Sequence, residues 1–369
     1  MISPAATAAL RHVRALGMPG TVPDAPITVN FHPDRLLADG RTVAACLAGE
    51  GVYRSQFETR ISNGGLLAYP GGDRDRWEHR MFGGAYSGVE GRPIYGALNL
   101  AGHPDGAAPR FGSCHLVLEP GTLRRATFCH GDSHPQPSVV GTADAFGAIR
   151  RALHDQVIGG GEALGVRASS PAEWEAAVAA RRASAGAPGS GSSGGSGRVP
   201  TAADGARPGT TDPALGNRAR PGPIDPALGD GARPGTTDPI GALACGRTLD
   251  DYVEAQLHGG LALRAHVTAV VADPSFMGTD TAAHLASLGL PVRWHAGFAL
   301  PAAEFPADLR GPDVPPLARE IAERYRRPVL DAEVIGRAAR AAAGDPGRLQ
   351  QIKYLWHILV LRGRPFSGP

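Results

Sequence analysis

The sequence predicts an α+β fold, in which a split sheet of short strands, rich in antiparallel pairs, is surrounded by helices and interrupted by a long disordered insertion. Polar and apolar side chains alternate at the two-residue period of a strand over residues 27–32 and 252–258. Further short strand-like segments, separated by Gly-rich turns, recur through the first half of the chain. Amphipathic helical patterns lie near both ends.

The elements before the insertion follow from local patterns. An Ala/Leu-rich stretch predicts a helix at 3–17, and a stripe of apolar residues predicts another at 35–49. The composition Ser62-Asn63-Gly64-Gly65 is typical of a turn. Alternating or β-branched segments predict strands, the last two joined by a turn at Pro120-Gly121, over residues 27–32, 53–59, 93–98, 115–118 and 125–128.

The insertion is low in complexity. A helix is expected at 172–183, after which residues 184–197 are almost wholly Gly, Ser, Ala and Pro. Three copies of a 13-residue unit follow, at 205–217, 218–230 and 231–243, and share Ala-Arg-Pro-Gly and then Asp-Pro. The unit is too short and too poor in large apolar residues to build a core, so we expect a disordered array.

The chain after the insertion returns to regular structure. We expect strands at 252–258, 267–271 and 291–295, and helices at 280–288, 331–343 and 348–361. The predicted organisation is therefore a first part of a catalytic-type domain with an N-terminal helix at 1–183, a linker at 184–245, final strands completing the domain at 246–300, and a C-terminal helical tail at 301–369.

Composition limits the classes of partner and compartment. The formal net charge is +2 and the basic residues are scattered, which leaves no nucleic-acid footprint. Four cysteines without Cys-x-x-Cys spacing do not indicate a disulfide scaffold. No apolar run of about 18 residues is long enough for a membrane helix. We expect a soluble bacterial cytoplasmic protein with no signal peptide and no membrane contact, although export by a specialised system stays open.

Three predicted strands carry polar side chains that are unusual for a solvated face. The late strand places Tyr252, Glu254, Gln256 and His258 on one side. The first strand does the same with Thr28, Asn30 and His32, and the segment at 53–59 with Arg54, Gln56 and Glu58. A solvated sheet face is the ordinary explanation for any one of them. Together they predict a polar cleft.

Several motifs resemble those of a bacterial family known only as a domain of unknown function. The similarity covers roughly residues 25–300 without the insertion. It is carried by Val29-Asn30-Phe31-His32-Pro33-Asp34-Arg35, Tyr53-Arg54-Ser55-Gln56-Phe57-Glu58-Thr59, Ile61-Ser62-Asn63-Gly64, Arg92-Pro93-Ile94-Tyr95-Gly96-Ala97, Gly131-Asp132-Ser133 and Tyr252-Val253-Glu254-Ala255-Gln256-Leu257-His258-Gly259.

A more distant similarity is to mono-ADP-ribosyltransferases, in which an early Arg or His strand, a middle Ser/Thr strand and a late Glu strand grip NAD. This resemblance implies an ADP-ribosyltransferase-like sheet and NAD as substrate, cleaved at the nicotinamide-ribose bond by transfer or hydrolysis. It implies a catalytic set of Glu254, Gln256 and His32. The implied NAD-binding set is Arg35, Arg54, Gln56, Thr59, Ser62, Asn63 and Tyr95.

The resemblance also implies roles for seven of the ten residues in these sets. Glu254 would stabilise charge on the ribose, and Gln256 would orient the acceptor or the nicotinamide. His32 and Arg35 would hold ribose or phosphate, Thr59 and Ser62 would support Glu254, and Tyr95 would stack on nicotinamide. The acceptor, a protein or a small molecule, is left open, because the late strand reads Glu-Ala-Gln where arginine-modifying enzymes carry a second acid.

Two other function classes remain open. A metal-dependent hydrolase is suggested by Cys114, His115, Cys129, His130 and His134, although only the last two have metal-like spacing, and no metal is predicted. Ser133 is a possible nucleophile within Gly131-Asp132-Ser133-His134, whereas turn capping by Asp132 and Ser133 is the simpler interpretation. An interaction protein would instead use the repeats and the aromatic residues Tyr69, Trp77, Phe82 and Tyr86, which otherwise pack a small core.

Overall fold

A computed structural model describes residues 2–61, 66, 68–186 and 248–367 of the chain. The three 13-residue repeats and the predicted turn at Ser62-Asn63-Gly64-Gly65 lie outside the described residues. The helices are α1 (Pro4–Leu16), α2 (Val43–Glu50), α3 (Gln56–Thr59), α4 (Asp73–Met81), α5 (Gly147–Gly160), α6 (Pro171–Gly186), α7 (Leu263–His266), α8 (Asp280–Ala286), α9 (Val314–Tyr325), α10 (Ala332–Ala341) and α11 (Pro346–Arg362).

The strands build one large sheet and three small ribbons. They are β1 (Ile27–Phe31), β2 (Val52–Tyr53), β3 (Ile94–Leu98), β4 (Cys114–Leu118), β5 (Ala126–His130), β6 (Val140–Thr142), β7 (Glu162–Ala163), β8 (Val166–Arg167), β9 (Val253–Leu257), β10 (Leu261–Ala262), β11 (Val267–Ala272), β12 (Val292–Trp294), β13 (Ala299–Pro301) and β14 (Val329–Asp331). The two-stranded ribbons are β10-β2, β13-β14 and β7-β8.

The large sheet has eight strands in the order β12-β11-β4-β1-β3-β9-β5-β6. All of its pairs are antiparallel except β11-β12. The chain is therefore mixed α and β with a mostly antiparallel sheet, as the sequence predicted. Among the described strands this sheet is continuous rather than split, because β1 and β3 pair and join the two halves. Strands from both sides of the insertion share it.

The alternation of side chains on β1 and β9 survives in the structure, but both faces are buried. Ile27, Val29 and Phe31 lie in the main hydrophobic core, as do Val253, Ala255 and Leu257. On the opposite face Glu254 is 4% exposed and Gln256 is fully buried. A solvated face is thus excluded for these strands. The polar side chains meet one another and the loops and helices that cover them.

The predicted strand at 53–59 is wrong. Only Val52–Tyr53 is a strand, and Gln56–Thr59 forms the short helix α3. Ser55 and Glu58 make a capping box: the Glu58 amide donates to Ser55 Oγ at 3.4 Å, and Glu58 Oε2 accepts from the Ser55 amide at 2.7 Å. Arg54, Gln56 and Glu58 alternate in the sequence, but Gln56 and Glu58 belong to the first turn of α3, which Ser55 caps.

Other differences concern helices. The helix predicted at 35–49 is shorter, Val43–Glu50, because Thr42 caps it and residues before it form a loop. The strands predicted at 115–118 and 125–128 are confirmed as Cys114–Leu118 and Ala126–His130, but they lie apart in the sheet and do not pair. Helices α4, α5 and α9 were not predicted, and the first half of the chain contains more helix than its Gly-rich sequence indicates.

The C-terminal helices pack against the loop that follows β1. Arg340 of α10 donates to Asp34 Oδ2 at 2.9 Å. Gly336 on the same helix lies so close to Asp34 that an added Cβ would overlap that oxygen. Trp356 of α11 contacts the His32 ring, with centroids 5.1 Å apart, and donates to the Pro109 carbonyl at 3.0 Å. These helices therefore position the end of β1.

Candidate active site

A pocket opens over the polar face of β1, β3 and β9 and is walled by α2, α3 and the end of the β1 loop. Its volume is about 110 Å³, which is small beside the roughly 300–1,000 Å³ typical of whole-ligand sites. The polar residues that line it are Thr28, Asn30, His32, Arg35, Glu50, Arg54, Ser55, Gln56, Thr59, Arg74, Tyr95, Asp132 and Glu254. A space of this size suits one ring or sugar of a larger ligand.

Glu254 lies at the inner wall of the pocket. Its neighbours in the sheet are Ala97 on β3 and Cys129 on β5. Ser133 donates to Glu254 Oε2 from both its amide and its hydroxyl, each at 3.2 Å. Gln256 Nε2 donates to Oε1 at 3.0 Å. The carboxylate is therefore fixed by neutral donors on both oxygens.

Burial dominates the electrostatics of this carboxylate. Desolvation, with repulsion from Asp132 as a second cause, raises the pKa of Glu254 from an ordinary 4.5 to about 7, although Arg74 and the donors from Gln256 and Ser133 oppose the rise. Both charge states of Glu254 are thus accessible near neutral pH. A carboxyl with this pKa can accept or stabilise positive charge and can also exchange a proton.

Arg74 reaches the site from α4. It is 3% exposed, and its Nη1 donates to Ser133 Oγ at 2.6 Å. Its guanidinium lies over the Tyr95 ring, 4.2 Å from the centroid. Tyr95 in turn donates to Glu78 Oε1 at 2.7 Å. One face of Tyr95 is therefore covered by Arg74, so a stacked ligand ring has only the other face.

His32 and Arg35, the residues expected to hold ribose or phosphate, both line the pocket. Burial, and secondarily the charge of Arg35, lowers the pKa of His32 to about 3. The imidazole is therefore neutral and can serve as a hydrogen-bonding group but not as a cation. Desolvation also lowers the pKa of Arg35.

The residues around α3 supply another wall. Arg54, Gln56 and Thr59 line the pocket, whereas Glu58 is absorbed by its capping box with Ser55. Arg54 forms an ion pair with Glu50 at 2.8 Å. The Thr59 hydroxyl donates to the Ser55 carbonyl at 3.0 Å, so it stabilises α3. The structure thus brings this wall to the pocket by a helix rather than a strand.

Among the described residues of the predicted catalytic and NAD-binding sets, Gln256 does not line the pocket. Ser62 and Asn63 lie outside the described residues. Gln256 is fully buried behind Glu254, and its amide is engaged on both sides: Nε2 donates to Glu254, and Oε1 accepts from the Thr127 hydroxyl at 2.8 Å. Its contacts are with the protein interior.

The sequence reasoning missed Arg74, Ser133 and Asp132 as partners of Glu254. The motif Gly131-Asp132-Ser133 was visible, and turn capping correctly explains Asp132, whose Oδ1 accepts from the His134 amide at 2.8 Å. Ser133 instead points to Glu254. Its hydroxyl is bonded to Arg74 and Glu254 rather than to an imidazole, which is not the environment of a serine nucleophile. Arg74 had no local signal.

The Cys and His candidates for a metal are dispersed in the structure. His130 Nε2 bonds Gln156 Oε1 at 2.9 Å, and Cys129 Sγ contacts Gln256 and Glu254. Within the described ranges, no group of three or more His, Cys, Asp or Glu side chains is arranged to hold a metal ion. The same ranges contain no helix that is long and apolar enough to cross a membrane.

Comparison with protein families matches most of the chain to one model. The model is described as a protein of unknown function, DUF3626, and it matches residues 26–186 and 240–362. The chain belongs to the DUF3626 family. The two matched stretches of this DUF3626 chain contain β1, β2, β3 and β9, and so every described strand that lines the pocket. No curated protein matches the chain.

Proposed function

We propose that this DUF3626 protein cleaves the nicotinamide-ribose bond of NAD, by ADP-ribosyl transfer or by hydrolysis, with Glu254 as the catalytic carboxylate. The observation that carries the proposal is the environment of Glu254. It is buried at a pocket wall, and no cationic nitrogen lies within 4 Å of it among the described residues. Arg74 reaches it only through Ser133 Oγ. The site can therefore receive positive charge from a ligand.

The cleavage of NAD develops positive charge, which a carboxylate without a directly bonded cation can stabilise. When the C1′–N bond breaks, its electron pair goes to the nicotinamide nitrogen and positive charge develops on the ribose. A carboxylate held in place beforehand stabilises that charge without reorganisation. Water or an acceptor then bonds to C1′ and loses a proton. The pKa of Glu254, about 7, suits it to accept that proton.

The pocket size supports one placement of the ligand. A volume of about 110 Å³ suits either the nicotinamide ring or the ribose, beside the face of Tyr95 that Arg74 does not cover. The pyrophosphate would extend toward Arg35 and Arg54, because His32 is neutral and supplies only hydrogen bonds. Binding of the cationic nicotinamide ring would favour the charged form of Glu254. Of the predicted catalytic residues Glu254, Gln256 and His32, only Glu254 keeps a catalytic role in this proposal. Gln256 acts on Glu254 from the protein interior, and His32 supplies hydrogen bonds to the ligand.

The proposal is tested by mass-spectrometric detection of nicotinamide released from NAD by the purified full chain, with and without cell lysate. We expect Glu254→Gln to lower release by about 100-fold or more. The matched control is Asp331→Asn, which alters a buried acid that is not in the pocket and keeps a side chain able to cap α10. Dependence on lysate would indicate a transferase. Folded wild-type protein that releases no nicotinamide in either condition would refute the proposal.

A further inference from the structure

A chain of hydrogen-bonded side chains leads from Glu254 away from the pocket. It runs from Gln256 to Thr127 on β5, then to His258 and finally to Tyr86. The Thr127 hydroxyl lies 2.8 Å from Gln256 Oε1 and 3.1 Å from His258 Nε2, and the Tyr86 hydroxyl lies 2.7 Å from His258 Nδ1. All four side chains are buried, and none of them lines the pocket.

Once the Gln256 amide nitrogen faces the ionised Glu254, counting protons gives the direction of the other bonds in this series of side chains. Thr127 has one hydroxyl proton, which it donates to Gln256 Oε1, so it must accept from His258 Nε2. A neutral imidazole carries one ring proton, and burial keeps His258 neutral by lowering its pKa to about 3. Nδ1 is then an acceptor, and Tyr86 donates to it. With the Gln256 NH₂ group toward Glu254, every polar atom in this series of side chains has a matching partner.

The reversed Gln256 amide would place two acceptors against each other. Its Oε1 would then lie at the 3.0 Å separation from Glu254 Oε1, where the amide nitrogen now lies. That contact is repulsive when Glu254 is ionised. Its nitrogen would then donate to Thr127, and the bonds from Thr127 to His258 and from His258 to Tyr86 would reverse their direction. The ionised Glu254 therefore selects the amide orientation, and Thr127, His258 and Tyr86 supply the matching partners on the other side of the amide.

We propose that Tyr86, His258 and Thr127 are positioning residues that hold the Gln256 amide as a hydrogen-bond donor to Glu254. The inference rests on the proposed function for its effect on activity, but not for its effect on Glu254 itself. Donation from Gln256 stabilises the ionised carboxylate against the cost of burial. The chain therefore keeps a usable fraction of Glu254 charged at neutral pH. Tyr86 closes the chain and also stacks on His258, with rings inclined by 12°.

Other titratable groups also face Glu254 and are still present when Thr127, His258 or Tyr86 is substituted. They come from α4, from β3, from β5, from the loop after β5 and from the residue before β9, and they are Arg74, Tyr95, Cys129, Asp132 and Tyr252. Of these, Asp132 raises the pKa of Glu254 and Arg74 lowers it. A change in the titration of Glu254 on substitution of Thr127 would therefore report the chain.

The test is a carbon-13 NMR titration of the Glu254 carboxyl in the full chain, assigned by the signal that Glu254→Gln removes. Thr127→Val deletes the hydroxyl with little change of shape, and we expect the midpoint to rise by about one pH unit. Thr127→Ser keeps the hydroxyl and should restore the wild-type midpoint. If NAD cleavage occurs, kcat at pH 7 should fall about fivefold in Thr127→Val, with KM unchanged, since a midpoint one unit higher leaves about one carboxyl in eleven ionised.

An unchanged midpoint in folded Thr127→Val would overturn the inference. Tyr86→Phe is the second variant, used if Thr127→Val does not fold, because it removes only the terminal hydroxyl and keeps the ring against Phe82. A rise in its midpoint supports the chain, and no rise contradicts it. If the midpoint shifts but wild type releases no nicotinamide, the positioning role stands and the NAD proposal fails.

Discussion

The Glu254→Gln substitution should change how the stability of the protein depends on pH. Burial raises the pKa of Glu254 from 4.5 to about 7, which corresponds to about 3 kcal/mol at about 1.4 kcal/mol per pH unit. The pKa of Glu254 in the folded protein lies above its pKa in the unfolded chain. The contribution of the protonated Glu254 to the free energy of unfolding is therefore fully present below about pH 4.5, and it is lost as pH rises to about 7. The introduced amide does not titrate, so the variant would not lose this stability.

The magnitude has an opposing part. A glutamine amide group would turn donors toward Ser133 or Gln256, which themselves donate to Glu254, and such a mismatch costs about 1–3 kcal/mol. We therefore expect the variant to be less stable than wild type near pH 5. Relative to that value it should gain about 3 kcal/mol by pH 8.5. The pH dependence of the difference is the diagnostic quantity, because the mismatch is constant.

The assay is urea unfolding of both proteins from pH 4.5 to 8.5, with the free energy of unfolding subtracted at each pH. Buried acids that do not interact with Glu254 titrate in both proteins and cancel, whereas Asp132, which repels Glu254, contributes to the difference. Asp331→Asn is the matched control: burial raises the pKa of Asp331 to about 6, so its difference should level off above that pH. A Glu254→Gln difference that stays constant within about 0.5 kcal/mol across the range would refute the assigned electrostatics.

Two further predictions concern the elements that shape the pocket. Gly336→Ala would place a methyl group in overlap with Asp34 Oδ2 and should lower the free energy of unfolding by about 2–3 kcal/mol. The control is Gly347→Ala in helix α11, where the atom nearest to an added Cβ is 3.5 Å away, and this variant should be neutral or stabilising. Equal effects of the two substitutions in urea unfolding would argue against the close packing of Gly336 on Asp34. Ser55→Ala removes the N-cap of α3 and should cost about 1 kcal/mol, whereas Ser55→Thr should retain most of it; an Ala variant as stable as wild type would contradict the capping box.

The local sequence pattern was sufficient to predict an element where its side chains follow one period throughout, such as the two-residue period of a strand. β1 and β9 were predicted because apolar residues at alternate positions fill the core while Thr28, Asn30, Glu254 and Gln256 occupy the other face. The segment at 53–59 has the same alternation, yet the Ser55 and Glu58 capping box turns it into a helix. Two competing short-range signals were present, and hydrogen bonding to the helix start decided between them.

Contacts between distant segments could not be predicted from one sequence. Ser133 meets Glu254 across 121 residues of chain, and Arg74 meets Ser133 across 59. Neither has a periodic or spaced motif that connects it to the late strand. Likewise, the end of β1 is fixed by Gly336 and Arg340 near the C-terminus, which the sequence showed only as a helical pattern. These pairings exist because the sheet and the C-terminal helices bring their elements together.

Glu254 differs from two other buried acids, Asp331 and Asp34, in the groups that hold it. Asp331 caps α10 by accepting from the Val334 amide at 2.9 Å and pairs with Arg327 at 3.0 Å, and Asp34 pairs with Arg340. Each has a cation and an evident role in packing. Glu254 caps no helix and is held by the neutral donors of Ser133 and Gln256. Burying a carboxylate without a paired cation is costly. Under the proposed function, its place on a pocket wall gives that cost a reason, because a cationic ligand would add to the partial compensation that Arg74 provides.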